Sequence, residues 1–198
     1  MEDVPPGLRT PVAVVPPAAD RWPHGPTEGL RPGDWARYRE AGLTLTYAAV
    51  EREEDALWIE TILEGEVRQA SAALVGTDGV VRKAFYGEVS KEGKSAVSPQ
   101  PVVQTSGAPA RRWTELSREG GEERIAVGGR ALACRSQRVR YEDLEGRLFE
   151  EHSLWHPEVP PIRAGSEAGG LVRRKSPKVD LELLDFGKDA KPVVERPR

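Results

Sequence analysis

The chain has 198 residues, a formal net charge of −3 and a sequence pI of about 5.8. That size suits one domain with tails. The charge balance, with no basic run longer than Arg173-Arg174-Lys175, speaks against a nucleic-acid binder, which needs cations for phosphate contacts. A single cysteine, Cys134, excludes an intramolecular disulfide framework.

Pro5, Pro6, Pro11, Pro16, Pro17, Pro23, Pro26 and Pro32 crowd the start of the chain. Proline removes backbone donors and forces extended conformations, so residues 1–32 read as a disordered proline-rich tail. The opening Met1-Glu2-Asp3 is acidic and no apolar stretch follows, so no signal peptide is expected. The uncharged run Thr10–Ala19 holds three prolines and is too short to span a bilayer. No transmembrane segment is expected anywhere.

From Gly33 the texture changes. Leu43, Leu45, Tyr47 and Ala49 alternate with Thr44, Thr46 and Ala48, the period of two that marks a strand. A charged turn at Glu51–Asp55 leads to Leu57, Ile59, Thr61 and Leu63, again alternating. Val67 to Val75 suits strand or helix and is read as strand. Asp78-Gly79 supplies the positive φ values of a tight hairpin turn before Val80–Tyr86.

Residues 88–121 are polar and contain Pro99, Pro101 and Pro109, which predicts a long mobile loop. Gly128-Gly129 predicts a second hairpin, Asp143–Gly146 a turn, and Leu148–His156 its return strand. Leu171–Arg173 and Val179–Phe186 complete the pattern, and residues 189–198 read as a polar tail. About ten short strands at hairpin spacing predict an all-β fold, with room for one or two short helices.

Signs of catalysis or metal binding are weak. Gly87 to Gly93-Lys94-Ser95 resembles a phosphate loop but has five residues between its glycines instead of four, and prolines follow where a helix is required. His152 and His156 would share a face on a helix. On a strand they stand about 13 Å apart, too far for one ion. Cys134 follows Leu132 on a predicted core strand, and no motif activates it. Catalytic residues, metal ligands and cofactors are therefore assigned to none.

Trp35, Trp58, Trp113 and Trp155 fall in the folded part and suit core filling better than a pocket. Gly33-Asp34-Trp35, Val127–Cys134, Ser153–His156, Gly169–Val172 and Leu184–Gly187 together carry a resemblance over roughly residues 33–187. The chain resembles a group of bacterial exported domains similar to the lipoprotein-carrier (LolA/LolB-like) half-barrel. The resemblance implies an incomplete antiparallel barrel around an apolar concavity, a periplasmic or cell-envelope setting, and no catalytic residues. The export signal and the lipobox cysteine of that group are missing here. The expected function is non-enzymatic binding of a lipid or lipoprotein acyl chain, lined by Leu43, Leu45, Tyr47, Leu57, Ile59 and Leu63. The alternative is a protein-interaction module with a filled core.

Overall fold

The computed structural model describes residues 18–90, 95–104, 113–163 and 169–196. Thirteen strands are present: β1 (Ala18–Ala19), β2 (Trp35–Glu40), β3 (Leu43–Glu53), β4 (Ala56–Glu64), β5 (Arg68–Gly76), β6 (Val81–Val89), β7 (Ser95–Pro99), β8 (Val102–Val103), β9 (Trp113–Val127), β10 (Arg130–Asp143), β11 (Leu148–His156), β12 (Gly170–Lys175) and β13 (Asp180–Gly187). No helix occurs among the described residues, so none there is long and apolar enough to cross a membrane.

Eleven strands form one antiparallel sheet that does not close, in the order β7-β6-β5-β4-β3-β2-β13-β12-β11-β10-β9. The order describes two meanders. The first runs outward from β2 to β7, the second from β9 back to β13, and they meet where β13 pairs with β2 (Phe186 opposite Ala36). The predicted turns at Asp78-Gly79, Gly128-Gly129 and Asp143–Gly146 join consecutive strands. Gly128 and Gly129 both have positive φ, 54° and 77°, as a two-residue hairpin turn requires.

The sheet is apolar on both faces. Tyr47, Ala49, Leu57 and Ile59 belong to a large core that also holds Leu132, Cys134, Leu154 and Leu171 from the second meander. The sheet therefore curls: Tyr38 Oη on β2 donates 2.8 Å to the Leu171 carbonyl on β12, and Arg130 lies over the Phe186 ring. The opposite face carries a second core of Ala48, Val50, Trp58, Ile62, Ala72, Leu74 and Phe85. Burial on both faces replaces alternation with continuous apolar runs, as in Tyr47–Val50 and Ala56–Ile59.

Three expected boundaries shift. Of the tail read over residues 1–32, residues 1–17 lie outside the described set; from Ala18 the chain pairs and packs against the sheet, and Leu30 is 3% exposed. The polar tail read over 189–198 covers the second core. Val194 is buried there, and the fully buried Glu60 carboxylate accepts the amides of Val193 (2.8 Å) and Val194 (3.2 Å). The loop read over 88–121 holds β7, β8 and the first nine residues of β9. That strand is exposed on both sides through Glu122, so it shows no alternation; it is held by pairing with β10, with Glu119 opposite Arg138 and Glu122 opposite Arg135.

Glu60 is the polar pin of the second core. Its neighbours across the ladder are Ala48 and Ala72, small residues that leave room for the C-terminal segment to approach. Burial raises its pKa, against the two amide bonds and Arg196, which lower it. Glu60→Ala leaves two amides without their acceptor and is expected to cost about 2–3 kcal/mol, read as a lower urea midpoint; an unchanged midpoint would remove Glu60 as the anchor.

Candidate functional site

The β3–β4 register sets the six residues expected as lining along one face of the sheet. Leu45 pairs with Leu63 and Ala49 with Ile59, so the strip from Leu43 to Leu57 is continuous. The strip is nonetheless filled. Tyr47, Leu57 and Ile59 are 5%, 1% and 1% exposed, Leu45 and Leu63 are half-buried, and Leu43 is exposed at the β2–β3 turn.

The filling comes from the chain itself. The segment before β2 brings Trp22 and His24 edge-on to Tyr47, at centroid distances of 6.4 and 5.1 Å. The segment after β11 buries Val159 and Ile162 in the same core and sets Arg163 beside Tyr47, whose hydroxyl accepts a 2.8 Å bond from the guanidinium. Arg163 also bonds Glu40 at 2.7 Å and faces the rings of Tyr38 and Tyr47. Burial first, and the nearby Arg163 cation second, hold the His24 imidazole down at about 4. Burial raises both tyrosines.

The polar groups of the second meander form ion pairs. Glu123 on β9 lies 2.8 Å from His152 Nε2, without hydrogen-bond alignment, and 3.4 Å from Arg173. Cys134 sits opposite Glu123, fully buried, with its thiol pKa raised by desolvation. β11 is extended, and His156 turns to accept the Glu158 amide at Nδ1. Among the described residues no group of His, Cys, Asp and Glu could hold a metal ion. Part of the phosphate-loop-like stretch, residues 91–94, lies outside the described set; its Gly87 is in β6, where any Cβ would meet the Ala96 carbonyl at 2.0 Å.

A roomy site lies elsewhere, at the end of β9–β12 remote from the Gly128-Gly129 turn. β10 changes its buried face along its length: Leu132 and Cys134 point to the main core, whereas Val139 is buried from the other side. Beyond Val139, Tyr141 stacks on Phe149 (5.2 Å, 24°), and Trp113 stands edge-on to both at 6.3 Å. These rings floor an open groove of about 760 Å³, completed by Leu144, Leu148, Pro177 and Val179. Trp113 is 48% exposed, Leu148 62% and Leu144 84%.

The groove rim is charged. Arg147 is held by Asp143 (2.8 Å) and Glu145 (2.9 Å), and Arg174 by Glu151 (2.8 Å). Lys178 joins none of the ion pairs found among the described residues. In the sequence Trp113 reads as core filling, whereas the structure leaves it 48% exposed on the groove floor. Its partners lie 28 and 36 positions away, on strands whose register only the fold supplies.

No protein-family model matches the chain, and no curated protein or solved structure is significantly similar to it. Its class therefore rests on geometry alone: an open, self-filled antiparallel β sheet with an aromatic groove at one end.

If Leu57 and Ile59 are core, Leu57→Ala and Ile59→Ala each lower stability by about 2–5 kcal/mol, while Leu43→Ala stays within about 0.5 kcal/mol. Urea unfolding separates the two outcomes; three small, equal effects would reopen the strip as a lining.

Proposed function

We propose that this chain is a non-enzymatic binding domain that takes a hydrophobic, lipid-like ligand in the aromatic groove at the end of β9–β12. The carrying observation is the exposed Trp113–Tyr141–Phe149 floor. A tryptophan left half in water beside the part-buried rings of Tyr141 and Phe149, at the base of a 760 Å³ groove, is unusual outside binding surfaces. The filled inner strip argues against the interior as the resting ligand site.

Charge narrows the ligand. The rim arginines are neutralised by carboxylates of the same hairpin or the neighbouring strand, which leaves Lys178 to meet an acidic end group. The reading is an apolar chain lying on the rings with a carboxylate or phosphate at Lys178. An extracytoplasmic setting belongs to this reading and rests on the resemblance to exported half-barrels. A filled core equally suits an interaction module, in which the groove receives apolar side chains of a protein partner.

Titration with a fluorescent polyene fatty acid tests the proposal. Saturable binding is expected, with Trp113→Ala weakening it about tenfold or more, a loss of roughly 1.4 kcal/mol. Lys178→Ala should weaken the acid by at most about fivefold and leave the matching alcohol unaffected. Absence of saturable binding, or binding indifferent to Trp113→Ala, overturns the groove as the ligand site.

A further inference from the structure

The segment 18–30 crosses the mouth of the curled sheet. Its backbone is tied at one side: the Ala18 amide donates to the Pro101 carbonyl (2.9 Å), Asp20 to Val103 (3.1 Å) and Trp22 to Gly79 (2.8 Å), while the Asp20 carbonyl accepts from Val81 (2.8 Å). Trp22, His24, Thr27 and Leu30 turn inward, while Ala19, Arg21, Pro23, Pro26 and Glu28 stay exposed. Trp22 and His24 contact each other at 5.2 Å and both contact Tyr47. Leu30 is buried in the cluster that contains Tyr47, Leu57, Ile59, Val75 and Val81.

The attachment is peripheral. It includes the two-residue parallel pair β1–β8, one bridge between Arg21 and Val80, the Arg21 guanidinium donating to the Asp78 carbonyl, the Thr27 hydroxyl donating to the Gly76 carbonyl, and Arg52 donating to the Leu30 carbonyl. Neither strand of that pair belongs to the main sheet. Gly25 and Gly29 have φ of +92° and +84°, with open space or a single distant atom where a Cβ would stand. By contrast Gly33 is locked. Its amide donates to Ala49, its carbonyl accepts from Ala190, and a Cβ there would meet the Lys188 carbonyl at 2.6 Å. The segment is thus tied at its start to a pair of strands outside the main sheet and at its end to the fixed Gly33.

We propose that residues 18–30 form a displaceable strap over a second, occluded apolar site, the strip of Tyr47, Leu57 and Ile59 with Val75 and Val81, and that protonation of His24 releases the strap. The strap is the site's resident occupant. When it leaves, the surface it uncovers is hydrocarbon, and the cation at its rim, Arg163, already has Glu40 as counter-ion. The second site therefore takes a neutral apolar molecule, unlike the acidic ligand of the groove, and stands independently of that reading.

The direction of the switch follows from the surroundings of His24. Facing it are Trp22 on its own segment, Tyr47 from β3 and Arg163 from the segment after β11; Tyr38 and Glu40 from β2 face Arg163 in turn. A second cation beside Arg163 in a desolvated slot is disfavoured, which holds the seated imidazole at about 4 against 6.5 in free chain. The seated strap stays neutral where a released one gains a proton, so the seated state is fully favoured above pH 6.5 and loses ground as pH falls toward 4. At pH 4.5 the equilibrium shifts toward release by roughly seventyfold.

Hydrogen exchange on the full chain, corrected for intrinsic rates, tests the release. The amides of Asp20, Trp22 and Val81 should lose about seventyfold in protection between pH 7.5 and 4.5, while those of Leu57 to Ile59 hold theirs. In His24→Gln the strap amides should show no such loss. Acid-independent strap protection in the native chain, or an equal acid response in His24→Gln, overturns the switch.

The site is tested with N-phenyl-1-naphthylamine, a neutral probe, in a Trp113→Ala background that disables the groove. Uptake should rise on acidification. It should vanish when Ala19→Cys and Val103→Cys, partners in the β1–β8 pair, are oxidised to a disulfide that locks the strap. Equal uptake by locked and reduced protein would place the probe elsewhere and remove the occluded site.

Discussion

The constraint that organises this molecule is an open sheet with two apolar faces. Closing a barrel would hide one face and abolish the edges; eleven strands that only curl hide neither completely. The second face is sealed because Glu60, buried between Ala48 and Ala72, holds the amides of Val193 and Val194. Asp189 adds a 2.7 Å bond from Trp35 Nε1, and Arg196 lies over the Trp58 ring. The first face is sealed by the strap and by Val159–Arg163. The segments flanking the sheet in sequence are thus parts of its core.

Pleat and turn chemistry were legible in the sequence. Alternation from Leu43 to Ala49 and from Leu57 to Leu63 identified strands and the face they share, and Asp78-Gly79, Gly128-Gly129 and Asp143–Gly146 marked their joints. Two kinds of segment escaped. Proline-rich and polar stretches were read as loose ends, although Leu30 and Val194 are buried and Trp22 half-buried; single apolar anchors on an extended chain have no periodicity to detect. The outer part of β9 escaped because it has no buried face, so its charges carry no pattern of two.

The inner strip shows how a correct local reading can mislead about function. Leu43, Leu45, Tyr47, Leu57, Ile59 and Leu63 do line one face, but a strip of apolar residues on a curled sheet is indifferent to whether a ligand or the chain covers it. Which of these occurs depends on Trp22, His24, Ile162 and Arg163, remote in sequence. The aromatic groove was equally hidden, since Trp113, Tyr141 and Phe149 converge only through the registers of β9, β10 and β11.

The junction of the two meanders has a consequence for how the chain reaches its native state. Within each meander, neighbouring strands follow one another in sequence, so their pairing closes short loops. The seam between β2 and β13 joins Trp35 to Gly187 and closes a loop of most of the protein. During synthesis the first meander can assemble early, but its β2 border stays unpaired until the ribosome has released the last strand. Over that interval the nascent protein exposes a sticky flank, and the late arrival of β13 sets both the pace of maturation and the period of greatest exposure to misassembly.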